Sequence, residues 1–509
     1  MTARESPEPG QFDTDSLPKL TASPARRIAV RASAALWLGL WAGLWLLLLS
    51  ATSLSPPVDN AEQLSWVRSL EWGYYKHPPL PTFLLWPWVK LFGLQAWVPA
   101  VVGALVTCAA ILVSRRLVCE LANRHVANLA TLGTLCIGYY NGRLDYFNHD
   151  VVLLLAVAAA AWFCWQAFAQ RSRGAWLALG FIIGLGALAK YQVVLAALSV
   201  AVYWAWQGGW RDPLHRRGLL QAAAIALLVL SPHAVWMVEH GFQPVHYAIV
   251  NSAAAHMGFV QCSIDALRWI GDQFSQLLPA LLLGAGLLLH SRRKESATAA
   301  APPSARDVSV FLFCFGLLPL ALMAAVGLLF SVRLHMNWAT AFMPLTCAWL
   351  MQLTGWQRWN QVRWQHALLG FAAVQLLLAG SEWATSAQGV TAIHQHKSRN
   401  FESQQLADEL ALPARAALGG PIRIIAGPQR LASVLALRLA ERPLVLVDGN
   451  YEISPWIPED LSDRCGVLWV GGKKDPVPHD VDLHPFGKDM WWGVELGIAA
   501  PGVCSLASD

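Results

Sequence analysis

"SAALWLGLWAGLWLLLLSAT", residues 33–52, holds no charged residue. A helix that crosses a bilayer needs about 20 predominantly apolar residues, so this stretch reads as a membrane span. The whole composition agrees with it. Hydrophobic residues make up 55% of the 509, charged residues only 14%, and there are 26 tryptophans. A soluble domain carries about 25% charge. The net charge of +5 is small and scattered, which implies no nucleic-acid partner.

Working outward from that stretch, eleven spans are expected: 33–53, 94–114, 126–141, 151–169, 174–189, 191–207, 219–238, 271–291, 308–330, 336–354 and 366–384. The fold class is therefore an α-helical polytopic membrane protein. Lys and Arg concentrate on one side of these spans, as cytoplasmic segments do. With the N-terminus inside, the inside segments hold nineteen of them and the outside loops seven. The first span is too long for a signal-peptide core and reads as an uncleaved anchor. Residues 1–32, rich in Pro, Ser and acids, read as a disordered cytoplasmic N-terminus. The transmembrane unit is 33–384, and 54–93 is its first outer loop, with amphipathic helices.

After residue 385 the polar residues return. "IRIIAG" (Ile422–Gly427), "PLVLVD" (Pro443–Asp448) and "GVLWVGG" (Gly466–Gly472) read as strands, and "PQRLASVLALRLAE" (Pro428–Glu441) as an amphipathic helix. Residues 385–509 are thus expected to form a C-terminal α/β domain, outside the membrane and periplasmic in a Gram-negative cell. It has no glycine-rich phosphate loop. Of nine cysteines, Cys465 and Cys504 share this region, and a disulfide between them is one reading.

Polar residues that a membrane excludes mark function by default, and five groups fall on the outer face. The first loop has Asp59, Glu62, Lys76 and His77. "YYNGRLDYFNHD" (139–150) has Arg143, Asp145, His149 and Asp150. "AKYQ" (189–192) has Lys190 and Tyr191. "SPHAVWMVEHGFQPVHY" (231–247) has His233, Glu239, His240 and His246. "SVRLHMNW" (331–338) has Arg333, His335, Asn337 and Trp338. Taken singly, each is an ordinary loop residue or helix cap. Together, acids and bases on one face suit group transfer from a phosphate-linked lipid. A cation holds the leaving phosphate, and a carboxylate takes the acceptor hydroxyl proton.

The first loop, "DNA…GYYKHPPL", resembles the signature of the bacterial protein-O-mannosyltransferase-like and lipid A aminoarabinose transferase-like glycosyltransferases. These belong to the C superfamily and use polyprenyl-phosphate sugars. "FNHDVVLLL", "GLGALAKYQVVL", "SPHAVWMVEHGF" and "RLHMNWATAFMPL" are similar to four further segments of that family, in order, across about 55–345. The resemblance implies an inverting glycosyltransferase of the bacterial inner membrane. Its donor is a polyprenyl-phosphate sugar and its acceptor a hydroxyl of a lipid, glycolipid or protein. It implies Asp59 as base and Asp150 as second acid. Lys190, Lys76 and Arg333, with His335 and Tyr191, become candidates for the donor phosphate. Asn60, Glu62, His77, His149, His233 and Asn337 would shape the loop or touch substrate. Asn60 stands where the family has Glu. The outer histidines, His256 among them, lack metal-ligand spacing, so no cofactor or metal is expected. The competing reading is a transporter or flippase for a lipid-linked sugar, which would show internal repeats; none is evident.

Overall fold

Each of the eleven apolar segments is helical in the computed structural model, which describes residues 24–252, 259–291, 303–330, 332–390, 398–458, 460–479, 481–497 and 504. Seven of the described helices are long and apolar enough to cross a membrane. The other four segments are shorter or broken. Arg173–Ala189 and Val194–Trp206 are short; Arg124–Leu135 stops before a separate turn, Gly138–Gly142; and Met336–Phe342 is 3-10 before Met343–Leu353. The first helix runs Pro24–Thr52, so it begins inside the segment expected to be disordered. Residues 1–23, His256 and most of the 295–305 linker lie outside the described residues.

The helices share one apolar core, with Trp176, Tyr203, Phe311, Phe315 and Phe342 essentially fully buried within it. Helix starts are set by polar caps: Asn123 accepts from Val126 N, Ser172 from Ala175 N and Asp212 from Leu214 N. The first loop folds into two helices, Val58–Trp66 and Leu80–Phe92. The second begins immediately after Pro78–Pro79, with Pro81 in its first turn, where a missing N–H costs nothing.

The C-terminal part is an α/β domain. Strands β1 (Ile424–Gly427), β2 (Leu444–Val447), β3 (Val467–Gly472), β4 (His484–Phe486) and β5 (Met490–Glu495) form one sheet in the order β2-β1-β3-β5-β4. β1 is parallel to both β2 and β3, with Ile424 opposite Leu444 and Ile425 opposite Leu468. Every residue of β1 and β2 is buried, as parallel strands under helices require. The three strands expected from sequence are present, and so is the helix, Gln429–Arg438. The antiparallel pair β4–β5 was not foreseen. Cys465 and Cys504 are joined by a disulfide.

This domain rests on the first loop. Trp66 and Tyr74, stacked with ring centres 4.5 Å apart, belong to the same buried cluster as Ile424, Ile425, Leu446 and Leu468. Leu54 and Ser55 donate their N–H groups to Arg399 O, Arg438 reaches Leu54 O at 3.0 Å, and Arg68 reaches Arg442 O at 2.6 Å. The loop thus lies between the helical bundle and the domain.

Candidate active site

The backbone sets the site before any charge does. Asn60 is fully buried. Its amide nitrogen donates to Asp145 O at 2.7 Å, and its oxygen accepts from Phe147 N at 2.7 Å. It ties the first loop to the 143–148 turn. A carboxylate could accept but not donate, so Asn is the residue that satisfies both backbone groups. That turn lies against Gly103, where a Cβ would come 2.2 Å from Tyr146 O. Gly73 has a similar reason: a Cβ there would meet the Trp236 ring at 2.2 Å.

One residue later, Asn148 joins the two acids. Its amide nitrogen donates to Asp59 Oδ2 at 2.7 Å. Its oxygen accepts from Asp150 N and Val151 N, both at 3.1 Å, and so caps the His149–Ala169 helix. Asp150 is buried and divided: Oδ1 takes Lys190 Nζ at 2.5 Å, and Oδ2 takes Asn337 Nδ2 at 2.5 Å. Lys190 is placed by the break between two short apolar helices, where its backbone is extended. Its ammonium also lies 5.8 Å from the Trp338 ring centre.

A second pair stands beside it. Lys76 Nζ meets Glu62 Oε1 at 2.6 Å and faces the rings of Tyr75 and Tyr247. Burial works against its charge, but Glu62 and the two tyrosines outweigh it and raise the ammonium above its ordinary value. His77 and His149 are in ring contact, 4.0 Å between centres. Burial first, then His149, Lys190 and Lys76, hold His77 well below its ordinary value, so it is neutral near pH 7. Tyr191 Oη is 2.7 Å from His233 Nε2, and His233 Nδ1 is 2.6 Å from Trp72 O, which ties that span to the first loop. His335 is depressed by burial, Lys190 and Arg333, while Arg333 is exposed and makes no ion pair among the described residues.

The expected residues are therefore brought together around Asp150, with Arg333 at the rim. Lys190 and Lys76 are each held by a carboxylate. Asn60, Glu62 and His233 contact protein groups that fix the loop, the first of the two roles expected of them. Sequence reasoning passed over Asn148, whose only sign was its place just before a helical run. It also left Arg143 without a role.

Residues 76–236 match the family described as dolichyl-phosphate-mannose-protein mannosyltransferase. Lipid A galacturonosyltransferase RgtD of Rhizobium johnstonii is 26% identical over 185 residues, covering 36% of this chain and 38% of that protein. Lipopolysaccharide core galacturonosyltransferase RgtA of the same organism is 26% identical over 189 residues, 35% and 36% of the two chains. The matches span under two-fifths of the length of these curated relatives. Among solved structures, ArnT from Cupriavidus metallidurans bound to undecaprenyl phosphate superposes with a TM-score of 0.54 at 15% identity, over 93% of this chain and 98% of that one. The two chains share a fold. The resemblance drawn from the five sequence segments is borne out, and seven of the described helices have the length and composition of membrane spans.

Proposed function

We propose that this chain is an inverting glycosyltransferase that moves a sugar from a polyprenyl-phosphate donor to a hydroxyl of a lipid, glycolipid or protein. The observation that carries the reading is the unbroken chain of contacts Asp59–Asn148–Asp150–Lys190 beneath the C-terminal domain. Asp59 takes the proton of the acceptor hydroxyl. The freed oxygen attacks the anomeric carbon, the carbon–phosphate-oxygen bond breaks on the opposite side, and the phosphate leaves with the electron pair. An ammonium has three donors. Asp150 and Glu62 each engage one, which fixes Lys190 and Lys76 in place and leaves the others for phosphate oxygens. His335, Tyr191 and Arg333 complete the donor's surroundings. No metal is needed where cations neutralise the leaving group, so a chelator should leave transfer unaltered.

The sugar we propose is a uronic acid and the acceptor lipid A or its core, supported by the names of both curated relatives. The chain would lie in the bacterial inner membrane with eleven spans, its N-terminus cytoplasmic and residues 54–93 and 385–509 periplasmic. The lysine and arginine asymmetry supports that orientation. Cysteine labelling should find positions 59, 150, 190 and 448 outside and 216 and 294 inside; an inside position 448 would overturn it.

The test is purified chain with a synthetic polyprenyl-phosphate sugar and an envelope extract, followed by release of polyprenyl phosphate. Release that needs both donor and extract supports transfer. Uptake into vesicles without release supports the transporter reading instead.

A further inference from the structure

The turn that carries Asp145 also carries Arg143, a cation that the reaction above leaves unused. Lys76 and Lys190 are each held by an acid, but Arg143 makes no ion pair among the described residues. Its guanidinium lies between two rings, 4.9 Å from the centre of Tyr146 and 5.9 Å from that of Tyr139. Burial disfavours its charge, yet Tyr146, Tyr139, Asp59 and Asp145 are near enough to raise it above its ordinary value. Arg143 lines a narrow recess of about 10 Å³, room for one small polar group, with Thr107, Tyr139, Asp150 and Thr340.

A second observation points at a ligand there. Tyr139 is 5% exposed, and its buried hydroxyl has no hydrogen-bond partner among the described residues. A buried donor left unmade costs free energy, and buried tyrosine hydroxyls usually find a partner. Asp150 would repel an anion, but its two oxygens are already taken by Lys190 and Asn337. The recess therefore offers a cation and an unused hydroxyl beside a neutralised acid.

We propose that this recess is a carboxylate subsite, in which Arg143 and Tyr139 hold the carboxylate of an acidic sugar on either donor or acceptor. A planar guanidinium matches a carboxylate through two parallel N–H donors. The rotatable ammonium groups of Lys76 and Lys190 suit a tetrahedral phosphate better. Only the choice of an acidic sugar rests on the transferase reading; the recess and its donors do not.

Two measurements on the full chain in detergent separate the sources. The first is direct binding of polyprenyl-phosphate galacturonate against polyprenyl-phosphate galactose, which lacks the carboxylate. A donor carboxylate predicts that the wild type prefers galacturonate by about 10–150-fold, the worth of one hydrogen bond to a charged group. Arg143→Gln should abolish that ratio, Tyr139→Phe should reduce it about 2–10-fold, and Arg143→Lys, which keeps charge but not the fork, should retain part of it. The second is the acceptor KM with a carboxylate-bearing acceptor and its methyl ester. An acceptor carboxylate predicts equal donor binding in all variants and a KM that rises in Arg143→Gln only for the free acid. No discrimination in either measurement overturns the subsite. Discrimination by a wild type that never transfers sugar keeps the subsite and removes the transferase reading.

Discussion

Asn148 holds Asp59 through its amide nitrogen at 2.7 Å while its oxygen caps the helix that begins at Asp150. One side chain thus sets both acids. Asn148→Ser keeps an oxygen cap and loses the donor to Asp59, whereas Asn148→Ala loses both. Thermal unfolding in detergent should show Ala less stable by about 1 kcal/mol, the usual worth of a cap, with Ser near wild type. Turnover should fall in both. A Ser variant with full turnover would leave Asn148 a cap alone.

Asp59→Asn preserves shape and removes basicity. A positioned general base is worth roughly 10²–10⁴-fold, so release of polyprenyl phosphate should drop by that much while donor binding persists. Near wild-type release would move the base to Asp150.

Lys190 and Asp150 form a pair whose side chains are 14% and 6% exposed. Removing one partner of a buried pair costs about 3–5 kcal/mol, because the other is left uncompensated. Lys190→Ala should therefore lose both stability and donor use. Lys190→Ala combined with Asp150→Asn should regain stability, read by unfolding temperature, and regain no activity. If the double variant transfers sugar normally, Lys190 is a structural partner only.

Asp145 is pushed up to about 6, chiefly by burial, with Arg399 opposing. Its Oδ1 has no hydrogen-bond partner among the described residues. The folded protein thus holds this proton more tightly than the unfolded chain does. Stability from it is fully present below the ordinary value of 3.8 and is lost as pH rises towards 6. Asp145→Asn removes that loss, on the order of 3 kcal/mol at neutral pH. The variant should unfold at a higher temperature than wild type at pH 7, and the gap should close near pH 4. A gap that does not change with pH would assign the effect to something other than this proton.

The apolar helices and the parallel strands were legible because both rest on local pattern. Twenty uncharged residues can hardly be anything but a span, and "IIAG" and "LVLV" can be buried on both faces. β4 was not, since "HPF" is three residues long with a proline in it. The site was half legible. Charged residues near the ends of apolar runs announce themselves, so Asp59, Asp150 and Lys190 could be named. Which acid meets which base is decided by how distant segments pack, and nothing in residues 148 or 337 alone reports it. Asn60 shows the limit most clearly. In the sequence it is only an Asn where the family has Glu, yet its two backbone contacts make it a fastener between loops.

Trp66 and Tyr74 are buried among residues that lie more than 300 positions later in the chain. On the ribosome, the loop with Asp59 emerges early, and its Trp66 and Tyr74 stay without their packing partners until β1, β2 and β3 have been made. A message cut short before the last strands would still encode the full set of apolar helices, beneath a first loop whose Trp66 and Tyr74 lack their cover. On the function proposed above, such partial products would be inert towards the lipid-linked sugars around them.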